Sequence, residues 1–208
     1  MRKLIFASNN KHKLEEVKRI FDKYEILSLK DIGFTDEIVE DGINFQENAL
    51  IKATTVHKFM KENTKYEYAV IADDSGLCVK AINYEPGVYS ARYSGEGDEG
   101  NRKKLLSKLS TIQDRTAYFQ CYAALILPDG SEYLEDGKTY GLITKEKIGD
   151  ESFGYDCLFW SDEIRKTFGQ ATAEEKDKVS HRGKAMRKIA EYLESINYIG
   201  IEEDEDEE

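Results

Sequence analysis

Ala69-Val70-Ile71-Ala72-Asp73-Asp74-Ser75-Gly76-Leu77 is the stretch whose reading decides the fold. Four small or apolar residues run into two adjacent carboxylates, a hydroxyl and a glycine. The chain then turns apolar again at Leu77 and Val79. A short apolar run bounded by a turn signal predicts a buried strand ending at Asp74. Leu77 to Ile82 then reads as its hairpin partner. Successive side chains on a strand leave opposite faces, so only one of Asp73 and Asp74 aims at a given ligand unless the strand has already turned. Two ionised carboxylates beside a core call for a cation. The pair is therefore either a solvated turn in which Asp73 caps backbone amides or a divalent-metal site.

Upstream, Lys3 to Ala7 predicts a first strand, Ser8-Asn9-Asn10 a polar turn, and Leu14, Val17, Ile20, Phe21 and Tyr24 a helix with Asn10 as its cap. Free amides at such a helix start favour an anion, and Lys11 and Lys13 add positive charge there. Glu25 to Leu29 predicts a second strand and Gly33 to Gly42 an acidic loop. Asn44 and Glu47 form a capping-box pattern for a helix to about Lys61, which carries Lys52. Downstream, Ser90 to Gly95 is a hydroxyl-rich loop around Arg92, of a kind that contacts phosphate. Asp98 predicts the cap of a helix through Leu109. Tyr118 to Leu127 and Glu132 to Ile143 predict a hairpin about Pro128-Asp129-Gly130. Phe153-Gly154-Tyr155-Asp156 reads either as a base-stacking shelf or as a glycine turn with core aromatics. Leu158 to Trp160 predicts a buried strand. Thr172 to Glu175 is a second capping box, and Ser180-His181-Arg182-Gly183 opens the last helix. A buried core histidine is not expected at that helix start.

The bulk numbers fit one soluble domain of 208 residues, with 40% hydrophobic and 34% charged side chains. Net charge is −11, but the last seven residues, Glu202 to Glu208, are all acidic. Without those seven the 41 acidic residues fall to 34 against 30 basic ones, a net charge of −4. Residues 201–208 are expected to be a disordered, solvated tail after a domain over 1–200. No basic excess points to nucleic acid. The apolar run after Met1-Arg2-Lys3 is too short for a signal peptide, and no run approaches a membrane span. Cys78, Cys121 and Cys157 fit no zinc or disulfide pattern and read as buried thiols of a cytoplasmic protein.

Six blocks in order carry a resemblance: Ser8-Asn9-Asn10-Lys11-His12-Lys13; Phe45-Gln46-Glu47-Asn48-Ala49 with Lys52; Ile71 to Leu77; Pro86 to Gly95; Phe153-Gly154-Tyr155-Asp156; and Ser180-His181-Arg182-Gly183. Together, from about Leu4 to Leu193, the chain resembles the inosine/xanthosine triphosphate pyrophosphatase family. That resemblance implies an α/β fold of two lobes around a long twisted mixed β-sheet with flanking helices, and an active-site cleft between the lobes. It implies a homodimer and a requirement for Mg²⁺, with Mn²⁺ as a substitute. Ser8, Asn9, Asn10, Lys11, His12 and Lys13 would hold the triphosphate, with Ser75 in support. Lys52 and Asp74 would be catalytic, Asp74 as the base. Glu40 and Asp74, with Asp73 beside them, would be the metal-linked carboxylates. Phe153 would stack on the purine, and Gly154, Tyr155, Asp156, Lys176, His181 and Arg182 would complete the nucleoside pocket. The sequence departs from the family at Asn9, often Gly, and at Cys157, often Pro. Asn tolerates left-handed backbone, so Cys157, next to the base pocket, bears more on specificity.

The reaction implied is NTP + H₂O → NMP + pyrophosphate for ITP, dITP and XTP. Hard oxygen donors suit Mg²⁺ and not zinc. A 6-oxo base satisfies donors such as His181 and Arg182, whereas adenine opposes them with its own amino group. Three alternatives are weighed: a pyrophosphatase for pyrimidine or other modified nucleotides, a sensor that binds nucleotide without hydrolysis, and a structural protein whose clusters are turns and caps. The carboxylates beside the lysines argue against the sensor.

Overall fold

Strand β3 runs without a break from Ala69 to Val79, with Asp73 and Asp74 in its middle. The turn expected at Ser75-Gly76 is not there, and Leu77 to Ile82 is not a hairpin partner. Leu77, Cys78 and Val79 are as buried as Val70 to Ala72 before the acids. Burial on both sides therefore overrides the local turn preference of Asp and Gly. The return comes later, after Asn83 and Tyr84 take left-handed backbone. It is the short β4 (Glu85–Pro86), antiparallel to the end of β3 with Cys78 opposite Pro86.

These coordinates come from a computed structural model that describes residues 2–200; the acidic tail predicted over 201–208 lies outside the described residues. Strand β1 (Arg2–Phe6) leads through Asn10 into helix α1 (Lys11–Ile20). As expected, the Asn10 side chain accepts the Lys13 N–H. Strand β2 (Tyr24–Leu27) stops short of the predicted Leu29, because the Ser28 N–H and hydroxyl both donate to the Asp31 carboxylate at 2.8 Å and start a turn. Helix α2 (Phe45–Asn63) is capped by Asn44, whose side chain accepts the Glu47 N–H. The Glu47 carboxylate reaches past the cap to the Ile43 N–H. Helix α3 (Gly97–Lys108) starts one residue before Asp98, so Asp98 does not cap it.

Strands β5 (Thr116–Ile126) and β6 (Glu132–Ile143) are neighbours joined by the predicted turn, closed by Leu127 N–H donating to Ser131 O. Strands β7 (Phe159–Ser161) and β8 (Lys166–Thr167), then helices α4 (Ala173–Val179) and α5 (His181–Ser195), complete the order. The predicted capping box at Thr172 and Glu175 is present in full.

The strands form one long, twisted, mixed sheet of eight in the order β2-β1-β3-β5-β6-β7-β8, with β4 on β3. β1 lies parallel to β2 and to β3, with Ile5 opposite Val70. Parallel neighbours need a crossover, which α1 supplies between β1 and β2. β7 is antiparallel to both β6 and β8.

The chain divides into two compact units. The first takes the described residues up to Asp73, Tyr122–Glu135 and those from Met186 onward. Its core sets Ile5, Val70, Ala72 and Ile126 against Ala49, Ala53 and Val56 of α2. The second takes Asp74–Cys121 and Asp136–Ala185, around Leu77, Leu105, Phe119, Phe159 and Phe168. Each fully buried large apolar side chain contributes about 1.5–3 kcal/mol. All three cysteines are buried thiols. Among the described residues no helix is long and apolar enough to cross a membrane.

Candidate active site

The predicted site residues fall into two groups, one in each unit. In the first unit they gather where β1 gives way to α1. The turn is tied by its own side chains: Ser8 Oγ accepts the Asn10 N–H at 3.0 Å and Asn9 Oδ1 accepts the Lys30 N–H at 2.9 Å. That fixes where α1 begins and so where Lys13 points. Lys13 Nζ donates to both Asp73 oxygens, at 3.1 and 3.2 Å. Asp73 is only 2% exposed, so the ammonium neutralises a buried carboxylate. Lys13 thus supplies a cation to Asp73. Lys11, on the same turn, is 86% exposed beside Glu15, and His12 is half-buried. A second pair forms between the acidic loop and α2, where Lys52 Nζ lies 2.6 Å from Glu40 Oε1.

In the second unit Asp74 and Ser75 are half-buried. An unbroken strand sends Asp74 to the face opposite Asp73. Arg182 donates to Ser75 Oγ at 2.9 Å. The Phe153 to Asp156 turn bends at Gly154, whose φ of +52° is left-handed and favours glycine. Lys176, midway along α4, donates to Asp156 at 2.7 Å and lies over the Phe153 ring, 4.8 Å from its centroid. Cation, carboxylate and aromatic ring are thus one assembly. Tyr155 is buried and its hydroxyl donates to Ser90 O at 2.7 Å, so it anchors the turn. Burial pushes the Tyr155 phenol and the adjacent Cys157 thiol up. In the hydroxyl-rich loop, Ser90 Oγ accepts the Leu77 N–H and donates to Gly87 O.

His181 and Arg182 are 5% and 2% exposed. This corrects the expectation for the start of the last helix: His181 is a buried histidine there. Its ring stacks on Phe119 of β5 with centroids 4.7 Å apart. β6 can approach because residue 137 is glycine; a Cβ there would lie 2.3 Å from His181 O. The sequence reading did not single out Phe119. Its only signal was alternation along β5, which marks a core residue and not what it touches.

The donors available to a metal are carboxylate oxygens, from Glu40, Asp73 and Asp74. Hard oxygen donors fit Mg²⁺ or Mn²⁺. Among the described residues no three Asp, Glu, His or Cys side chains form a group able to hold an ion by themselves. Mg²⁺ commonly takes one or two carboxylates and completes its shell with substrate phosphates, and these residues suit that mode.

The first unit thus brings together a strand, a tied polar turn and a helix start with an inward lysine, and the second an aromatic ring, a carboxylate and a cation. The Ham1 family model matches residues 4–192. The chain belongs to the Ham1 family. A dITP/XTP pyrophosphatase of Clostridium perfringens is 42% identical, covering 94% of this chain and 99% of that protein. One of Bacillus subtilis is 41% identical, covering 94% and 98%. The structure of the Staphylococcus aureus Ham1 protein is similar with a TM-score of 0.82 at 36% identity, over 94% of this chain and all of that one. A HAM1 protein from Coxiella burnetii also gives 0.82, at 32% identity and the same coverage. The Ham1 match therefore takes in every one of the residues above.

Proposed function

We infer that this Ham1-family chain is a nucleoside triphosphate pyrophosphatase that hydrolyses ITP, dITP and XTP to the monophosphate and pyrophosphate, clearing them from the nucleotide pool. The observation that carries this reading is the near full-length identity of about two in five with proteins named dITP/XTP pyrophosphatase. The site residues supply the chemistry. Lys13 and Lys52 exchange their carboxylate partners for the phosphates of an incoming substrate, and the Ser8 to Asn10 turn orients the chain of phosphates. Asp74 accepts a proton from water as its oxygen attacks the α-phosphorus and the bond to the pyrophosphate oxygen breaks. Phe153 stacks on the purine, Asp156 and Lys176 hold the nucleoside, and His181 and Arg182 select the 6-oxo group.

The carboxylate set supports a requirement for Mg²⁺, which Glu40 and Asp74 would hold. When bound, Mg²⁺ neutralises charge on the phosphate oxygens. We further propose a cytoplasmic homodimer. The exposed Tyr84, Tyr140 and Leu142 of the second unit support a partner surface.

The test is pyrophosphate release from ITP, XTP, dITP, GTP and ATP, with Mg²⁺ and with chelator. Magnesium-dependent release from ITP and XTP, with ATP and GTP poor, is the expected result. Tight ITP binding without release would overturn the enzyme reading in favour of a sensor. Light scattering measures the mass, and a monomer would overturn the dimer.

A further inference from the structure

The Phe153 to Asp156 turn is gripped by side chains of helix α3. Gly154 offers one backbone donor and one acceptor, and both are taken by side chains of α3. The Gly154 N–H donates to Asp98 Oδ2 at 2.9 Å. Gly154 O accepts from an Arg102 terminal nitrogen at 2.6 Å, and the same nitrogen reaches Glu151 O at 3.3 Å. Asp98 and Arg102 are four apart, so they stand one turn above each other on the same helix face. Arg102 is 5% exposed, deeply buried for a charged residue. Its other nitrogens donate to Glu99, at 3.3 and 3.1 Å, which holds the guanidinium in one orientation. A buried guanidinium is retained only when its charge and donors are satisfied; here two of those donors are spent on carbonyls of a loop that no regular secondary structure supports.

We propose that Asp98 and Arg102 are positioning residues that set the height and tilt of the Phe153 ring, and thereby the enzyme's affinity for the base without altering its handling of the triphosphate. The turn bends at Gly154, between Phe153 on one side and Asp156 on the other. Fixing both polar groups of that one peptide residue fixes the direction in which the ring leaves the chain. Lys176 then meets the ring and Asp156 together. Neither Asp98 nor Arg102 touches substrate in this scheme; each acts through Gly154. The proposal rests on the reading of Phe153 as the base shelf.

Asp98→Ala, Arg102→Lys and Phe153→Ala test it, with KM and kcat for ITP, inhibition by inorganic tripolyphosphate, and the thermal midpoint as readouts. Tripolyphosphate has no base, so it reports phosphate binding alone. Asp98→Ala and Arg102→Lys should raise KM for ITP roughly fivefold to tenfold, with kcat and tripolyphosphate inhibition little changed. Asp98 is exposed, so its variant tests the clamp even where Arg102→Lys fails to fold. Parallel loss of ITP and tripolyphosphate binding would show general damage and overturn the proposal. A response to Phe153→Ala with none to a folded Asp98→Ala would overturn the clamp and leave the shelf standing. An unchanged KM in Phe153→Ala would overturn the shelf and the clamp with it, and no hydrolysis by the unsubstituted protein would overturn the functional reading.

Discussion

Phe119 and His181 lie face to face, 4.7 Å between ring centroids and 11° from parallel. Phe119 also stacks on Phe168 at 6.1 Å, so the histidine sits at the end of an aromatic column. An imidazole held this way has a fixed ring plane, and in the proposed role its N–H would be aimed at the 6-oxo group. Phe119→Leu keeps an apolar residue but removes the stack. Stability should fall by about 1 kcal/mol, measured by urea unfolding, and the preference for ITP over ATP should narrow. An unchanged ratio of kcat/KM for the two nucleotides would show that the stack does not govern base choice.

Lys13 and Asp73 form a buried pair of which the lysine is 19% exposed and the aspartate 2%. Lys13→Met leaves a carboxylate buried without its cation, which costs about 3 kcal/mol or more. Lys13→Met with Asp73→Asn should recover most of that loss, because no charge is then stranded, yet turnover should stay low. A single variant as stable as the parent would show that the burial of Asp73 does not depend on Lys13.

Asp74→Asn should lower kcat for ITP by more than a hundredfold while circular dichroism and the thermal midpoint stay close to those of the parent, since general base catalysis is worth about 10²–10⁴-fold. Asp74 is half-buried on a strand anchored at both ends, so the amide can be seated without rearrangement. A variant with near-parental turnover would remove Asp74 as the base.

Acid should weaken the fold in a defined window. Backbone and side-chain hydrogen bonds from Ser28 lower the Asp31 carboxyl below 3.8, and the Thr172 N–H and Lys166 lower Glu175 below 4.5. Lys108 and Tyr93 lower Glu85 likewise. A carboxyl depressed in the folded state adds stability above its unfolded value and loses it as pH falls through the folded one. The thermal midpoint should hold above pH 5 and decline below about pH 4.5. A midpoint that rises on acidification through that range would contradict these partners.

Local signals in the sequence located the elements well. Asn10, Asn44 and the Thr172-Glu175 box all cap where expected, because a cap is decided by side chains within three residues of the amide. The return strand over Glu132–Ile143 was equally readable from its turn and period. What failed was decided at a distance. Asp-Asp-Ser-Gly has the composition of a turn, yet it lies inside β3, an inner strand of the sheet, and stays extended. Asp98 has the position of a cap, but Gly154, 56 residues on, takes its carboxylate. Nothing in the sequence marks Arg102 as buried; only the fold shows it. The Lys13–Asp73 pair spans 60 residues and exists because β1 and β3 align. In each case the partner was far along the chain, and spacing carries no information about it.

The first unit is built from three separated pieces of chain, and this has a consequence for its birth on the ribosome. Synthesis runs from the amino end at about 5–20 residues per second. Every residue of the second unit has been made by Ala185, whereas the first still lacks its last piece, from Met186 on. In that piece the Tyr198 hydroxyl accepts the Ala69 N–H and donates to Lys3 O. The amino-terminal strand, although translated early, must wait for Tyr198 before this tie between Lys3 and Ala69 is made.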